Sequence, residues 1–165
     1  LLPENRKTQG FVKDTANRIN VALSSLKKYC SFGVLNNKKI YQVFDYYADQ
    51  IKLSPKKPDL LTEHLSGGNQ QKVVLAKLLA SGADILIFDE PTKGIDVGAK
   101  SEIYRLMEML VENGKSIIMV SSELPEVIGM SDRVIVMNNG RITGEMAQGE
   151  FGEESIMQCA LGGNS

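Results

Sequence analysis

The strongest constraint on the fold is an alternation of short apolar runs with segments of helical period, which begins near residue 66. Three runs have continuous apolar cores, as strands covered on both faces do. They are ILIF (85–88), IIMV (117–120) and VIVM (134–137). Helices are predicted at about 66–80, 99–112 and 124–129. This order predicts an α/β fold, a parallel sheet flanked by helices and built with crossover connections.

Shorter patterns extend this assignment to both ends of the chain. An Asn-Asn-Gly turn (138–140) separates RVIVM from RITGEM and predicts a β-hairpin. Residues 153–161 predict a last helix, and residues 1–10 the end of a strand that runs into a loop. We therefore expect ordered structure along most of the chain.

The first third of the chain predicts a small helical subdomain at about residues 11–60. A helix is predicted from Thr15, which can cap it, and residues 27–37 are predicted to be a loop. The first helix has apolar residues at helical spacing, namely Ile19, Ala22, Leu23 and Leu26. The second, over 38–52, has Ile40, Val43, Phe44, Tyr47 and Ile51 on one side.

Composition excludes several classes of function. The formal net charge of −1 lacks the basic excess of a nucleic-acid-binding domain. No apolar run approaches the roughly 20 residues that a membrane-spanning helix needs. Cys30 and Cys159 lack metal-ligand spacing and are expected to be free thiols. A role at a membrane would therefore depend on a partner.

The first chemical motif is Leu65-Ser66-Gly67-Gly68-Asn69-Gln70-Gln71 at the start of a predicted helix. Ser66 suits the N-cap, and the two glycines let a ligand approach the backbone amides closely. A helix start with available amides binds anions, and a terminal phosphate fits there. A Ser-Gly-Gly helix start by itself is also compatible with an ordinary cap and turn.

The second motif is the acidic pair Asp89-Glu90 directly after an apolar strand. The carboxyl edge of a parallel sheet is where α/β proteins bind ligands. One carboxylate there can hold Mg²⁺, and its neighbour can polarise an attacking water. A pair of solvated loop acids fits poorly after a buried strand.

Taken together, LSGGNQQ, ILIFDEPT and KGIDVGAK resemble the signature motif, Walker B strand and D-loop of an ABC ATPase domain, in that order and spacing. The resemblance covers nearly the whole chain and implies a P-loop NTPase-like fold. It implies that residues 1–165 are the C-terminal portion of one such domain. Within it, about 11–60 would be the helical subdomain, about 61–150 the core with the motifs, and about 151–165 a terminal helix and tail.

Further segments narrow the resemblance to the second ATPase half of bacterial monosaccharide importers, of ribose, galactose or xylose type. They are PENRK, GNQQK, GIDVGAK and SSELPEVIGMSDRVIVM. This resemblance implies that the whole protein hydrolyses ATP with Mg²⁺ to drive sugar uptake, on the cytoplasmic side of the cell membrane. Its implied partners are another ATPase half or a second copy, integral membrane permease subunits and, indirectly, a periplasmic or lipoprotein sugar-binding protein.

The resemblance also implies roles for individual residues. Asp89 would organise Mg²⁺, and Glu90 would be the general base or would position the water. Asp96 would lie at the seam between two ATPase halves. The groups that contact the γ-phosphate of an ATP held mainly by the opposite half would be Ser66, Gly67 and Gly68, supported by Gln70.

Three departures from the family pattern bear on activity. No G-x-x-x-x-G-K-[ST] loop occurs, and the chain opens without Met, so we expect a fragment that binds nucleotide weakly and does not turn it over alone. Ser122 stands where most of the family has a switch histidine, and it lacks the reach and charge of an imidazole. Glu4 stands near the family's Q-loop glutamine, where a carboxylate would alter the metal site.

These departures predict an asymmetric pair of sites, in which this half lends its signature to an active site and its own site is slow or silent. The alternatives are a nucleoside importer, a non-hydrolysing dimerisation half, a DNA-repair ATPase and a translation factor. The absence of sustained heptads before the signature argues against a DNA-repair ATPase, and the near-neutral charge argues against a translation factor.

Overall fold

The structure is a computed structural model that describes residues 1–162 and divides into two compact units, Leu1–Val120 and the chain from Ser121 onward. The last three residues of the predicted tail (151–165) lie outside the described residues. The first unit contains α1 (Asn17–Ala22), β1 (Cys30–Ser31), β2 (Val34–Leu35), α2 (Asn37–Gln50), α3 (Gly67–Ala80), β3 (Ile85–Asp89), α4 (Val97–Glu112) and β4 (Ser116–Val120). The second contains α5 (Leu124–Met130), β5 (Arg133–Asn138), β6 (Arg141–Ala147) and α6 (Glu153–Ala160).

The first helix differs from its sequence prediction at both ends. Its N-cap residue is Ala16, with no side-chain cap, so the prediction that Thr15 caps it is wrong. The α-helix ends at Ala22 and continues as a 3₁₀ segment, Leu23–Tyr29. Non-helical backbone at Ser25 interrupts that segment, and this explains why the apolar spacing through Leu26 does not extend the α-helix.

The predicted loop 27–37 contains a short antiparallel hairpin, β1–β2. Its two turn residues, Phe32 and Gly33, both have positive φ, as a type I′ turn requires. Phenylalanine seldom adopts that conformation, and the sequence therefore carried little sign of the turn.

The second helix, α2, confirms the predicted helix and most of its apolar face. Asn36 caps it by accepting a hydrogen bond from the Lys39 amide at 3.1 Å. Ile40, Phe44 and Ala48 are buried on one side, and Ile51 is buried just beyond the helix end. This face packs against α1 and α3, so the three helices share one core.

The signature segment begins α3, which is buried along most of its length, from Gln70 to Ala80. After it, β3 and β4 form a parallel pair in register from Ile85–Ser116 to Asp89–Val120. Leu2 makes a parallel bridge to Phe88 on β3. This bridge confirms the predicted strand end near the start of the chain, and the connection through α4 confirms the predicted crossover.

The prediction of a sheet covered on both faces is wrong for the described chain. Leu86 and Phe88 are fully buried, whereas Ile85 and Ile87, on the opposite face of β3, are 62% and 40% exposed. Ile118 and Val120 on β4 are about half exposed on the same side. The apolar runs therefore mark strands with one buried face and one exposed apolar face.

The second unit is a hairpin with helices. β5 pairs with β6 in antiparallel fashion, which confirms the predicted hairpin. Among the described residues β5 pairs with β6 and does not join the parallel pair β3–β4. The alternation of strands and helices predicts that it does join the parallel sheet. Val134, Val136 and Ile156 form the core of the second unit, with α5 and α6 packed on it. None of the helices described in either unit is long and apolar enough to cross a membrane.

Candidate functional site

The start of α3 presents backbone amides without a side-chain cap. Ser66 occupies the N-cap position with extended backbone, as predicted, but its side chain accepts no hydrogen bond from an amide of the first turn. The Ser66 hydroxyl instead accepts from the Asn69 side-chain amide at 2.9 Å. Because no side chain caps these amides, they remain available to an anion, and the sequence motif fits a phosphate here.

Gly68 lies where the starts of α3 and α4 approach each other. A Cβ on Gly68 would lie 3.0 Å from the Cβ of Ala99 in the first turn of α4, a tight contact. Asp96 caps α4 by accepting a hydrogen bond from the Ala99 amide at 2.9 Å. The structure therefore places two predicted site residues, Gly68 and Asp96, beside the same pair of helix starts.

A groove of about 330 Å³ runs between these helix starts. Across it, Lys72 pairs with Glu102 at 2.6 Å and also donates to the carbonyl of Lys52, so its charge is already neutralised. The groove thus has a polar lining with available amides at one end. It is lined by Ser66, Gly68, Asn69, Lys72, Asp96, Gly98, Ala99 and Glu102.

Asp89 and Glu90 lie at the carboxyl edge of the parallel pair, as predicted. Asp89 is the last residue of β3, opposite Val120, and its amide donates to the Leu2 carbonyl at 2.9 Å. The Glu90 amide donates to the Val120 carbonyl at 2.9 Å, and Glu90 has a φ of 49°. Both side chains are partly exposed at this edge, where a ligand can reach them.

The carboxylates at this edge suit Mg²⁺ only when a bound ligand supplies further oxygen atoms to the ion. No group of three or more metal-ligating side chains occurs among residues 1–162. Mg²⁺ sites that include phosphates use one or two protein carboxylates and complete the shell with phosphate oxygens and waters. Asp89 and Glu90 therefore fit a magnesium ion that arrives with a nucleotide.

Lys93 is a cation at this edge that the sequence analysis did not include in the site. Its ammonium group pairs with the Glu4 carboxylate at 2.6 Å. This hydrogen bond, the charge of Glu4 and the nearby charges of Glu90 and Asp89 raise the pKa of Lys93. The Glu4 carboxylate is therefore engaged by an ammonium group whose pKa the acidic pair also raises, and its place beside a metal ion stays a prediction.

Two glutamines of the signature segment bind its neighbouring backbone. Gln70 is buried, and its amide nitrogen donates to the carbonyls of Glu63 and Leu65, at 3.1 and 3.0 Å. Its side chain therefore holds the segment before α3 in place, and a role for Gln70 in contacting a phosphate stays a prediction. Gln71, a motif residue to which the sequence assigns no role, donates to the Pro91 carbonyl at 2.9 Å.

Arg6 is a second basic residue that the sequence analysis left out. Its guanidinium donates to the carbonyls of Lys93 and Gly94, at 3.3 and 3.4 Å. Burial lowers the pKa of Arg6. Arg6 lies in the PENRK segment, which carries a family resemblance but assigns the arginine no role. A contact between residues more than 80 positions apart leaves no pattern in the local sequence.

The predicted switch position, Ser122, lies in the second unit and is exposed. Within residues 1–162 its side chain makes no hydrogen bond. The neighbouring Ser121 hydroxyl donates to the buried Glu126 carboxylate and accepts from the Glu123 amide. Ser121 thus fixes the turn into α5, whereas the Ser122 hydroxyl takes no part in the hydrogen bonds described there.

Solved structures with a similar fold are ABC cassettes. The dimeric structure of a bacterial ABC transporter cassette matches with a TM-score of 0.71 at 23% identity, covering 86% of this chain and 60% of that one. A post-hydrolysis state of an ATP-binding cassette bound to ADP and Pi also has a TM-score of 0.71 at 23% identity, covering 87% and 62%. At this identity the likeness establishes the fold, which confirms the predicted fold class.

The sequence comparison identifies the family. The ABC transporter family model matches residues 4–93, and the chain belongs to this family. The chain is 49% identical to a ribose import ATP-binding protein of Bacillus subtilis (strain 168), over 98% of this chain and 33% of the relative. It is also 49% identical to a xylose import ATP-binding protein of Moorella thermoacetica, over 99% and 32%. The chain thus spans about a third of the length of these curated relatives.

Proposed function

We propose that this chain is part of the second ATPase half of an ABC importer that couples ATP hydrolysis to the uptake of a simple sugar. The relatives named above are import ATP-binding proteins for ribose and xylose, and their identity extends over nearly the whole chain. In this proposal residues 1–165 form the C-terminal portion of one ATPase domain. The helical region, about 11–60, is the face that touches the membrane subunits.

The observation that carries the proposal is the uncapped start of α3. Ser66 leaves the first-turn amides without a side-chain partner, while Gly67 and Gly68 add no side chains that would cover them. Amides held in fixed positions near a phosphoryl group stabilise developing charge by several kcal/mol in such sites. We infer that this helix start binds the γ-phosphate of an ATP that the opposite half holds, with Asp96 at the seam.

The acidic pair would serve the site of this half. MgATP supplies the phosphoryl group and the metal charge when it is bound. Asp89, at the end of β3, would hold the metal ion, and Glu90, one residue further, would orient or deprotonate the attacking water. A metal contact from Glu4 would require this carboxylate to leave Lys93, so we place Glu4 beside the metal only in that rearranged state.

We further propose that the two sites are unequal. Ser122 stands where most of the family has a switch histidine, and a serine hydroxyl has a shorter reach and no charge. Loss of one such contact lowers a rate by about two to three powers of ten. The site completed by Ser66, Gly67 and Gly68 would then carry most of the turnover.

The implied partners follow from this arrangement. They are the first ATPase half or a second copy, integral membrane permease subunits and, indirectly, a sugar-binding protein outside the membrane. The protein would lie peripherally on the cytoplasmic side of the membrane. A nucleoside importer would use the same mechanism with a different cargo.

A non-hydrolysing dimerisation half is the second candidate. The ion pair between Lys93 and Glu4, beside Asp89 and Glu90, favours it, because an ammonium group already partly neutralises this edge. In that case Glu90 would contribute nothing to turnover, whereas the start of α3 would still be needed.

The test is transport by the whole protein with its permease in proteoliposomes. Gly68→Asp should abolish ATP-driven uptake of ribose or xylose, because it places a carboxylate at the phosphate-binding amides. Gly129→Asp is the matched control, since a Cβ on Gly129 would meet nothing within 4 Å. Uptake that survives Gly68→Asp, or a wild-type protein that transports neither pentose and no nucleoside, would contradict the proposal.

A further inference from the structure

The segment before α1 is fastened along the signature helix. It forms a π-helical turn, Arg6–Gly10, which packs on α3. A Cβ on Gly10 would lie 2.8 Å from Cγ2 of Val74, so glycine is required for this approach. The Lys77 ammonium donates to the Gly10 carbonyl. The backbone that carries Arg6 is therefore held in place by α3 itself.

From this turn the Arg6 side chain reaches toward two motifs at once. Its two terminal nitrogens donate to the carbonyls of Lys93 and Gly94, which lead into the D-loop. One of them, Nη2, lies 2.7 Å from the position that a Cβ on Gly67 would occupy. The guanidinium thus lies against the signature glycine while it binds the D-loop backbone.

We infer that Arg6 is a positioning residue, which fixes the first turn of the signature helix relative to the D-loop turn through its forked guanidinium. This inference rests on the proposed function, since it concerns how the geometry of the shared ATP site is maintained. An arginine fork presents two donors in a rigid plane, whereas a lysine offers one point charge on a flexible stem. The shape of the group, and not only its charge, carries this role.

The arrangement gives Gly67 a second reason to be glycine. A side chain at position 67 would occupy the space of the Arg6 guanidinium and displace it from the Lys93 and Gly94 carbonyls. The loss caused by Gly67→Ala should therefore include the loss that Arg6→Ala causes. Their effects on turnover should be non-additive, as they are for residues in one contact network.

The experiment measures ATP turnover of the whole protein for Arg6→Ala, Arg6→Lys, Gly67→Ala and the Arg6→Ala/Gly67→Ala double variant. Lys7→Ala, which removes the adjacent exposed cation, is the matched control. Arg6→Ala should lower kcat by about three- to tenfold with KM for ATP unchanged, the size expected for one or two lost hydrogen bonds. Arg6→Lys keeps the stem and charge and should fold, yet it should not restore kcat.

The double variant should be no slower than Gly67→Ala alone. Full restoration by Arg6→Lys, or multiplied losses in the double variant, would overturn the inference. If the wild-type protein hydrolyses no ATP, the proposed function fails separately. The same four variants are then compared by thermal midpoint, where additive shifts overturn the inference and non-additive shifts support it.

Discussion

The Gln71 side chain donates a buried hydrogen bond to the Pro91 carbonyl, which lies directly after Glu90. The bond joins the signature helix to the turn that follows the acidic pair, and Gln71 is only 3% exposed. The two motifs, separated by about twenty residues in sequence, are therefore held together inside one unit of the chain.

Gln71→Ala should lower the free energy of unfolding by about 1–3 kcal/mol, because it leaves the buried Pro91 carbonyl without its donor. Gln42→Ala makes the same chemical change at an exposed position inside α2 and should have little effect. Chemical denaturation of the whole protein measures both. Equal effects of the two variants would contradict the role assigned to this bond.

A second prediction concerns a buried polar cluster in the helical region. The Thr62 hydroxyl donates to the Asn17 side-chain oxygen at 2.8 Å and accepts from the Asn20 amide at 2.9 Å. Thr62→Val keeps the shape but removes both bonds and should cost about 1–3 kcal/mol of unfolding free energy. Thr62→Ser keeps the hydroxyl and should cost about 1 kcal/mol, for one buried methyl group.

The comparison of these two variants isolates the hydroxyl. Denaturation midpoints and slopes of the two proteins supply the measurement. A valine variant that is as stable as the serine variant would show that the polar cluster contributes no net stability.

The success of the sequence predictions depends on how far apart in the chain the interacting residues lie. The helix face with Ile40 and Phe44 was predicted because its apolar residues recur at helical spacing within one segment. The carboxyl-edge position of Asp89 followed from the apolar run before it. Local patterns were therefore sufficient for the second helix, the strand pair β3–β4 and the edge where the acids lie, but not for the ends of α1 or the β1–β2 hairpin.

The missed features depend on distant or side-chain contacts. Arg6 and Lys93 became neighbours only through folding, and the Ser66 hydroxyl is bonded to Asn69 and not to a backbone amide. The exposed face with Ile85 and Ile118 was missed because an apolar run specifies neither which face is covered nor by what. These features require the tertiary arrangement.

A pH prediction follows from the exposed carboxylate of Asp59. The hydrogen bond from Arg18, followed by that from Tyr41, holds the pKa of Asp59 below its ordinary value of 3.8. A lowered pKa in the folded state contributes stability above the unfolded pKa, and this contribution is lost as pH falls through the folded pKa. Asp59→Asn should therefore be less stable than wild type at pH 7.

The stability difference between wild type and Asp59→Asn should shrink as pH falls below 3.8. Asp14→Asn is the control, since Asp14 is exposed and makes no side-chain hydrogen bond within residues 1–162. Thermal midpoints across an acid pH series provide the measurement. A difference that persists unchanged at the acid end would show that the ion pair is not its source.

Glu90 itself gives a prediction about strain. Its φ of 49° lies in the left-handed region, which is unfavourable for a residue with a Cβ. Glu90→Gly should leave stability unchanged or raise it by up to about 1 kcal/mol, because glycine adopts this conformation freely. Glu108→Gly, within the regular backbone of α4, should instead cost about 1 kcal/mol. Destabilisation of similar size at both positions would contradict the assignment of strain to Glu90.

We propose that this half lends its signature to a shared ATP site. The most direct test compares steady-state ATPase activity of the whole protein carrying Gly68→Asp or Glu90→Gln, each with a near-wild-type thermal midpoint. We expect Gly68→Asp to lower kcat by at least about a hundredfold and Glu90→Gln to change it little. A loss of the same size in both variants would show that both sites turn over and would contradict the asymmetry.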